Sequence, residues 1–476
     1  TVATQIIAQP GTPNGFMLFN SDSANCNCTS GVANWPASPT EWDGALESPL
    51  LNLSATPAVM LQWQQRLRWC CQSTSPHQIE VSTDGGATWP TVLEAASGIA
   101  TNNDPGTQTR QVMLTAAISA DPSNVKFRFH HNPTAAAYHW QIDDVKLIEL
   151  FANDMRMDDG VVSQTGNGEE YGRIPYGQLE STIMVGGDVT NNGAIDQTNV
   201  NVHMDVTGPS PFSTDIVAGT VAPGVQFLAE SAFPTPAVLD NGVYSATFTV
   251  SADAPDQIDT DNSYQRNFEI TNSRYSADGI GNHPAGLESL SSIGTASFTD
   301  AADGLVVLNY YEVHAPLDVY GIEVRITTNS VAGSYFTVAL RDSTPVLQTT
   351  PDMTVVIYES DIHDVTALDA AAQNVQVIFP TPVTLQPNGY FASATLFSNA
   401  GANALRVVDD LTVPQPGLMS AIYIPNDNVY SNGNALAIRL ITEAPNAIHE
   451  NSALTGVTVY PNPSNGIVNV NMSKTG

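Results

Sequence analysis

Along nearly the whole chain apolar residues return at every second position, the repeat of a β-strand with one buried face. Leu61, Trp63, Leu67 and Trp69 are separated by Gln62, Gln64, Arg66 and Arg68. Val125, Phe127 and Phe129 alternate with Lys126, Arg128 and His130. The same pattern runs through Val200, Val202, Met204 and Val206, and through Tyr244, Ala246, Phe248 and Val250. It returns at Ile322, Val324 and Ile326 and at Phe336, Val338 and Leu340. No segment carries a convincing 3.6-residue apolar stripe, and clusters of Gly, Asn, Asp and Pro separate the runs. Short strands punctuated in this way predict an all-β protein built of tandem β-sandwich or jelly-roll domains.

A length of 476 residues suits about three such domains. Residues 1–150 form the first, set apart because all six tryptophans (Trp35, Trp42, Trp63, Trp69, Trp89, Trp140) lie in it. Trp63 and Trp69 share a parity within one strand, which places them in a core rather than on a glycan-stacking platform. Residues 151–275 form a second, smaller sandwich and residues 276–445 a third β unit, while 446–476 form a polar linker and a terminal hairpin start. Three units in series are expected to present sheet edges and loop tips rather than one deep cleft. Only three lysines are available to blunt those edges.

Asp and Glu outnumber Lys and Arg by 47 to 15, a net charge of −32. That balance argues against nucleic acid and anionic membrane surfaces as partners, both of which need a basic footprint. It favours solubility in a salty exterior and supplies carboxylates for divalent cations. No window approaches 18 consecutive apolar residues, so no transmembrane segment is expected. The opening TVATQIIAQPG has neither a basic start nor a long apolar core, as expected of a mature chain after signal-peptide removal.

The four cysteines, Cys26, Cys28, Cys70 and Cys71, all fall within the first 71 residues. CxC plus CC lacks the two-residue spacers of a zinc ribbon, so disulfides are expected, with three connectivities open. Pairing of Cys26 and Cys28 with Cys70 and Cys71 is preferred, because a vicinal Cys70–Cys71 bridge would strain a strand.

Catalytic signatures are sparse. His130, His131 and His139 are the densest group of possible metal ligands, but adjacent strand residues face opposite ways, so surface or satisfied histidines are expected. HExxH, GxSxG and P-loop patterns are absent. Asp253, Asp256, Asp259 and Asp261 gather in one stretch without the glycine and glutamate of an EF-hand, which reads as a solvated loop. A pair of carboxylates for glycoside hydrolysis would be assembled only by the fold and leaves no spacing to find.

Three stretches carry family resemblances. The succession NGFMLFNSDS, LESPLLNLS, LQWQQRLRW, IEVSTDGGATW, VKFRFHHN and YHWQIDDVKLIE resembles MAM-like jelly-roll modules and covers nearly all of the first unit. The resemblance implies a structural calcium ion held by Asp22 and Asp143 or Asp144, with Asp43 a further position. GGDVTNNGAIDQTNVNVHMDV and NGVYSATFTVSADAPDQIDTDNSYQRNFEIT resemble Ig-like, CARDB-type spacer modules. In the last stretch, Tyr460, Pro461, Asn462, Pro463, Ser464, Asn465 and Gly466 form a turn between the runs Val457–Val459 and Val468–Met472. This YPNPSNG pattern resembles the opening of the C-terminal sorting domain of cargo exported by the type IX secretion system of Bacteroidetes. Such domains usually continue for several more strands, so only the start of one is expected here.

The resemblances imply export by signal peptide and then by the type IX machinery, to the medium or the outer cell surface. The expected function is that of a non-catalytic extracellular protein acting in adhesion or assembly, through self-association or a glycan or surface ligand. The alternatives are a structural subunit of a surface filament or layer, and a secreted hydrolase whose site is hidden in the sequence.

Overall fold

The computed structural model describes residues 6–7, 15–20, 43–56, 58–69, 75–99, 103–132, 138–166, 168–298, 301–444, 457–460 and 469–472. It is all-β, as the alternation predicts. Two short helices, Ser343–Val346 and Ala367–Ala372, are the α-helical exceptions among the described residues. Neither is long and apolar enough to cross a membrane.

The first unit contains β1 (Met17–Phe19), β2 (Gly44–Glu47), β3 (Val59–Arg68), β4 (His77–Ser82), β5 (Thr91–Glu94), β6 (Gln108–Met113), β7 (Lys126–His131) and β8 (His139–Glu149). Two antiparallel sheets, ordered β1-β8-β3-β6 and β2-β7-β4-β5, face each other across an apolar layer. The in-facing residues of β3 include Leu61, Trp63 and Leu67, all buried as their parity requires. Trp63 meets Phe129 edge-on at 5.5 Å, and Phe129 meets Trp140 at 5.6 Å, so the tryptophans of these strands are core. One extra residue in β8 breaks the register with β3 between Gln62 and Gln64, and Asp144 takes up the slack at φ +47°.

β9 (Met155–Ser163), β10 (Arg173–Ile174), β11 (Thr182–Asn191), β12 (Gln197–Thr207), β13 (Phe212–Val221), β14 (Gln226–Pro234), β15 (Gly242–Ser251) and β16 (Ser263–Ile270) build the second unit. They form the sheets β14-β11-β9 and β10-β16-β15-β12-β13. Val200, Val202, Met204 and Val206 of β12 and Tyr244, Ala246, Phe248 and Val250 of β15 all point into the layer between them. The third unit is larger. Its widest sheet is centred on Asp303–Val313, which pairs with Asn388–Phe397 on one side and Ser420–Tyr423 on the other.

The second and third units are not beads on a string. One continuous hydrophobic cluster runs from Met155 to Leu440. Arg274–Tyr275, the segment that closes the second unit in sequence, pairs with Ile438–Ile441 near the end of the third. Tyr171, Tyr275 and Tyr311, each at most 1% exposed, stack at the junction with ring centroids 4.6–5.9 Å apart. At the end of the described chain, Val457–Tyr460 pairs antiparallel with Asn469–Met472, the hairpin expected from the flanking runs.

Candidate functional site

The residues singled out in the sequence land in different places. Asp43 sits beside His130 Nε2 at 2.8 Å, while Glu80 approaches His130 Nδ1 at 2.9 Å. Asp143 and Asp144 lie on the β8 bulge and line a cavity of about 380 Å³ with Gly15, Phe16, Met17 and Leu46. Leu46 and Val145 continue this groove into an apolar one of about 400 Å³ that reaches Phe127 and Phe129 between the sheets. Asp22, the four cysteines and the turn from Pro461 to Gly466 lie outside the described residues. Among the described residues no group of three or more His, Cys, Asp or Glu side chains is placed to hold a metal ion.

His77, His130, His131 and His139 are all buried, none more than 8% exposed. His77 and His131 are directly paired across β4 and β7, with rings 5.0 Å apart, and each is 1% exposed. His77 meets the Trp140 ring edge-on at 5.1 Å. Burial, reinforced by the neighbouring imidazoles, drives the His77 pKa well below the ordinary histidine value and takes His131 down to about 4. These are neutral core histidines.

The chemistry gathers instead where the second unit meets the third, in a cavity of about 300 Å³ lined by Glu169, Tyr310, Pro416, Gly417 and Met419. Three contacts hold its walls together. The Tyr171 hydroxyl accepts from the Glu312 amide at 3.1 Å, and the Tyr275 hydroxyl donates to the Glu312 carbonyl at 2.8 Å. Gln415 Nε2 donates to the Glu170 carbonyl at 2.7 Å, drawing the 415–419 loop over the second unit. Within the third unit the Tyr310 amide donates to the Met419 carbonyl at 2.7 Å. Glu169, two residues before Tyr171, is thereby fixed facing the strand that carries Tyr310 and Glu312.

Glu169 is 2% exposed, and its Oε2 has no hydrogen-bond partner among the described residues. Burial pushes its pKa up and outweighs a backbone hydrogen bond that pulls the other way; the negative charge of Glu312 adds to the rise, while Thr165 and His314 oppose it. Glu312 has different surroundings, because the Tyr310 hydroxyl donates to its Oε2. Burial and this carboxylate raise the pKa of Tyr310, so the hydroxyl keeps its proton and remains a donor. Glu169 is thus held towards its neutral form, near a second carboxyl that accepts from the Tyr310 hydroxyl.

Glu169, Tyr310 and Glu312 were not singled out in the sequence. Glu169 and Glu312 stand on separate units and meet only through the tyrosine junction. The available signal was local: NYYEVH places Glu312 in a strand otherwise rich in apolar residues with His314 just beyond it, and GEEYGR puts two carboxylates before a buried tyrosine.

No family model matches the chain, and no curated protein matches it. Solved structures that it resembles include a β-glucuronidase from Parabacteroides merdae, 13% identical at a TM-score of 0.24, covering 56% of this chain and 32% of that one. A β-glucuronidase from Bacteroides uniformis is 11% identical at a TM-score of 0.25, covering 57% of this chain and 28% of that one. A GH2 β-galacturonidase from Eisenbergiella tayi is 9% identical at 0.21, covering 59% and 45%. The chain spans about a third of the length of the first of these structures. At such scores the likeness lends no weight to any residue or reaction, and the site rests on its own geometry.

The expected non-catalytic role in adhesion or assembly is corrected. These neighbours carry the names of glycoside hydrolases. The premise behind the expectation also fails, because the second and third units share one core and border an open cavity with a buried carboxyl instead of presenting only edges and loop tips.

Proposed function

We propose that the chain belongs to a secreted hydrolase acting on glycosidic bonds, with the cavity between the second and third units as its reaction site. The observation that carries this reading is Glu169: a carboxyl buried to 2% exposure, biased towards its protonated form, lining a solvent-reached cavity beside a second carboxylate. Glu169 would donate its proton to the glycosidic oxygen as the bond to the anomeric carbon breaks. Glu312, oriented by Tyr310, would act at that carbon, either as the nucleophile or as the base that takes a proton from the attacking water. The third-unit loop at Pro416–Gly417 would border the sugar's approach. Export is supported by the YPNPSNG resemblance to type IX sorting domains, and deletion of 453–476 should hold the protein in the periplasm.

The test is release of reducing sugar and of nitrophenol from a panel of polysaccharides and aryl glycosides, uronides and galactosides included. Turnover by the native chain that falls by about 10²–10⁴-fold in both Glu169→Gln and Glu312→Gln supports the assignment. Absence of turnover across the panel, or turnover unchanged by either substitution, overturns it.

A further inference from the structure

A second polar centre lies at the opposite end of the second unit, where the segment before β9 meets the aspartate-rich loop after β15. Backbone and side-chain bonds tie the two together. The Gln257 amide donates to the Asn153 carbonyl at 3.0 Å, and the Asn153 amide returns a bond to Gln257 Oε1 at 3.0 Å. Asp256 accepts from the Met155 amide at 2.7 Å and from the Ile258 amide at 2.8 Å, so both its oxygens serve the backbone. Asn262 is anchored through its carbonyl, which accepts from the Val250 amide at 2.9 Å. These bonds hold the start of β9, with Asp154 just before it, against the single-turn helix Asp259–Asp261 that Asn262 follows.

Three side-chain oxygens at this corner are buried without a hydrogen-bond partner among the described residues: Asp154 Oδ1, Asp261 Oδ1 and Asn262 Oδ1. Asp154 is only 8% exposed. Buried carboxylate and amide oxygens left without donors are costly, and such oxygens at one corner call for a cation or a proton. The nearby guanidinium, Arg156, is engaged by Asp158 at 2.6 Å. Asp154 feels Asp261 and then Asp256 as its strongest neighbouring charges, which places the carboxylates within one field.

We infer that this corner binds a calcium ion through the side-chain oxygens of Asp154, Asp261 and Asn262, with backbone carbonyls or water completing the shell. Oxygen-only donors suit a hard cation, and calcium accepts the irregular six- to eight-fold shell that two carboxylates and an amide begin. The ion would pin the loop after β15 to the start of β9, at the edge of the second unit's core. The carboxylates repel one another without it: burial, Asp261 and Asp256 together raise the Asp154 pKa to about 6.

The test uses the full chain and calcium alone. After chelator treatment, calcium at several millimolar should raise the melting temperature of the second and third units by about 3–8 °C, and calorimetric titration should show binding in the range of about 10⁻⁴–10⁻³ M or tighter. Magnesium at the same concentration should give less than half that shift. Asp154→Asn with Asp261→Asn should abolish this binding. If the double variant does not fold, Asp261→Asn alone should weaken calcium at least tenfold. A native chain with no calcium-dependent shift and no binding heat overturns the inference, with Asp154 then holding a proton instead. Undiminished binding in the foldable variant overturns it as well, and assigns the ion to another site.

Discussion

Replacement of Arg439 by methionine should be among the most damaging single changes in the chain. Arg439 Nε and Nη2 donate to the two oxygens of Asp278 at 2.8 and 2.6 Å, and Nη1 donates to Glu323 at 2.8 Å. Asp278 is fully buried, and the facing guanidinium holds its carboxyl below the ordinary range against the pull of burial. Arg439→Met removes both charge-assisted bonds to it. What remains is the Ser276 hydroxyl, the Ile280 amide at 3.3 Å, and Arg173 at 3.7 Å. Glu323 loses less, because Arg274 at 3.1 Å and Gln376 at 2.8 Å stay in place.

Breaking a buried pair from one side costs about 3–5 kcal/mol, and the residual partners of Asp278 put this case at about 3. With the second and third units melting together, that loss lowers the melting temperature by about 5 °C. Because Ile438–Ile441 pairs with Arg274–Tyr275, the second and third units should lose stability together, in one calorimetric transition. The double variant Arg439→Met with Asp278→Asn should recover about half the loss, since no uncompensated charge is left in the interior. A single variant within about 1 kcal/mol of the native chain in urea denaturation would refute the reasoning. So would two well-separated transitions for the second and third units.

Acid should unfold the first unit ahead of the rest. His77 and His131 have folded pKa values below the unfolded value of about 6.5, so the unfolded chain takes up protons that the folded unit refuses as pH falls from 6.5 towards 4. The loss should reach about 2 kcal/mol for His131 alone after solvent screening, read by tryptophan fluorescence because all six tryptophans lie in this unit. His131→Gln should flatten that pH dependence, and an unchanged slope would contradict the assignment. Gly160→Ala should cost about 1–3 kcal/mol, since a Cβ there would stand 2.2 Å from the buried Phe248 ring. Gly177→Ala, with open space around it, is the control and should melt within about a degree of the native chain.

Strand positions were legible because their burial follows parity. Leu61, Trp63 and Leu67 face inward, as do Val200, Val202, Met204 and Val206, with less buried residues at the alternate positions. What parity cannot show is which sheet meets which. Nothing in the sequence marks Tyr171, Tyr275 and Tyr311, yet their packing merges two units that look separable in sequence. The β8 bulge was equally hidden: one added residue at Asp144 shifts the register without disturbing composition. Asp253 to Asp261 was visible as an acidic loop, but Asp154, the buried group opposite it, lies about a hundred residues away. Glu169 and Glu312 share that fate, since a site made at a domain junction has no sequence spacing of its own.

The role assigned to Glu169 is tested most directly with two glycosides of the same sugar, one with an alkyl leaving group and one with dinitrophenol. An alkyl oxygen needs a proton to depart, and dinitrophenolate does not. Glu169→Gln should therefore lower kcat/KM for the alkyl glycoside by about 10²–10⁴-fold and leave the dinitrophenyl glycoside within about tenfold of the native chain. Equal losses on both substrates, or no loss on either, would contradict a proton donor at Glu169.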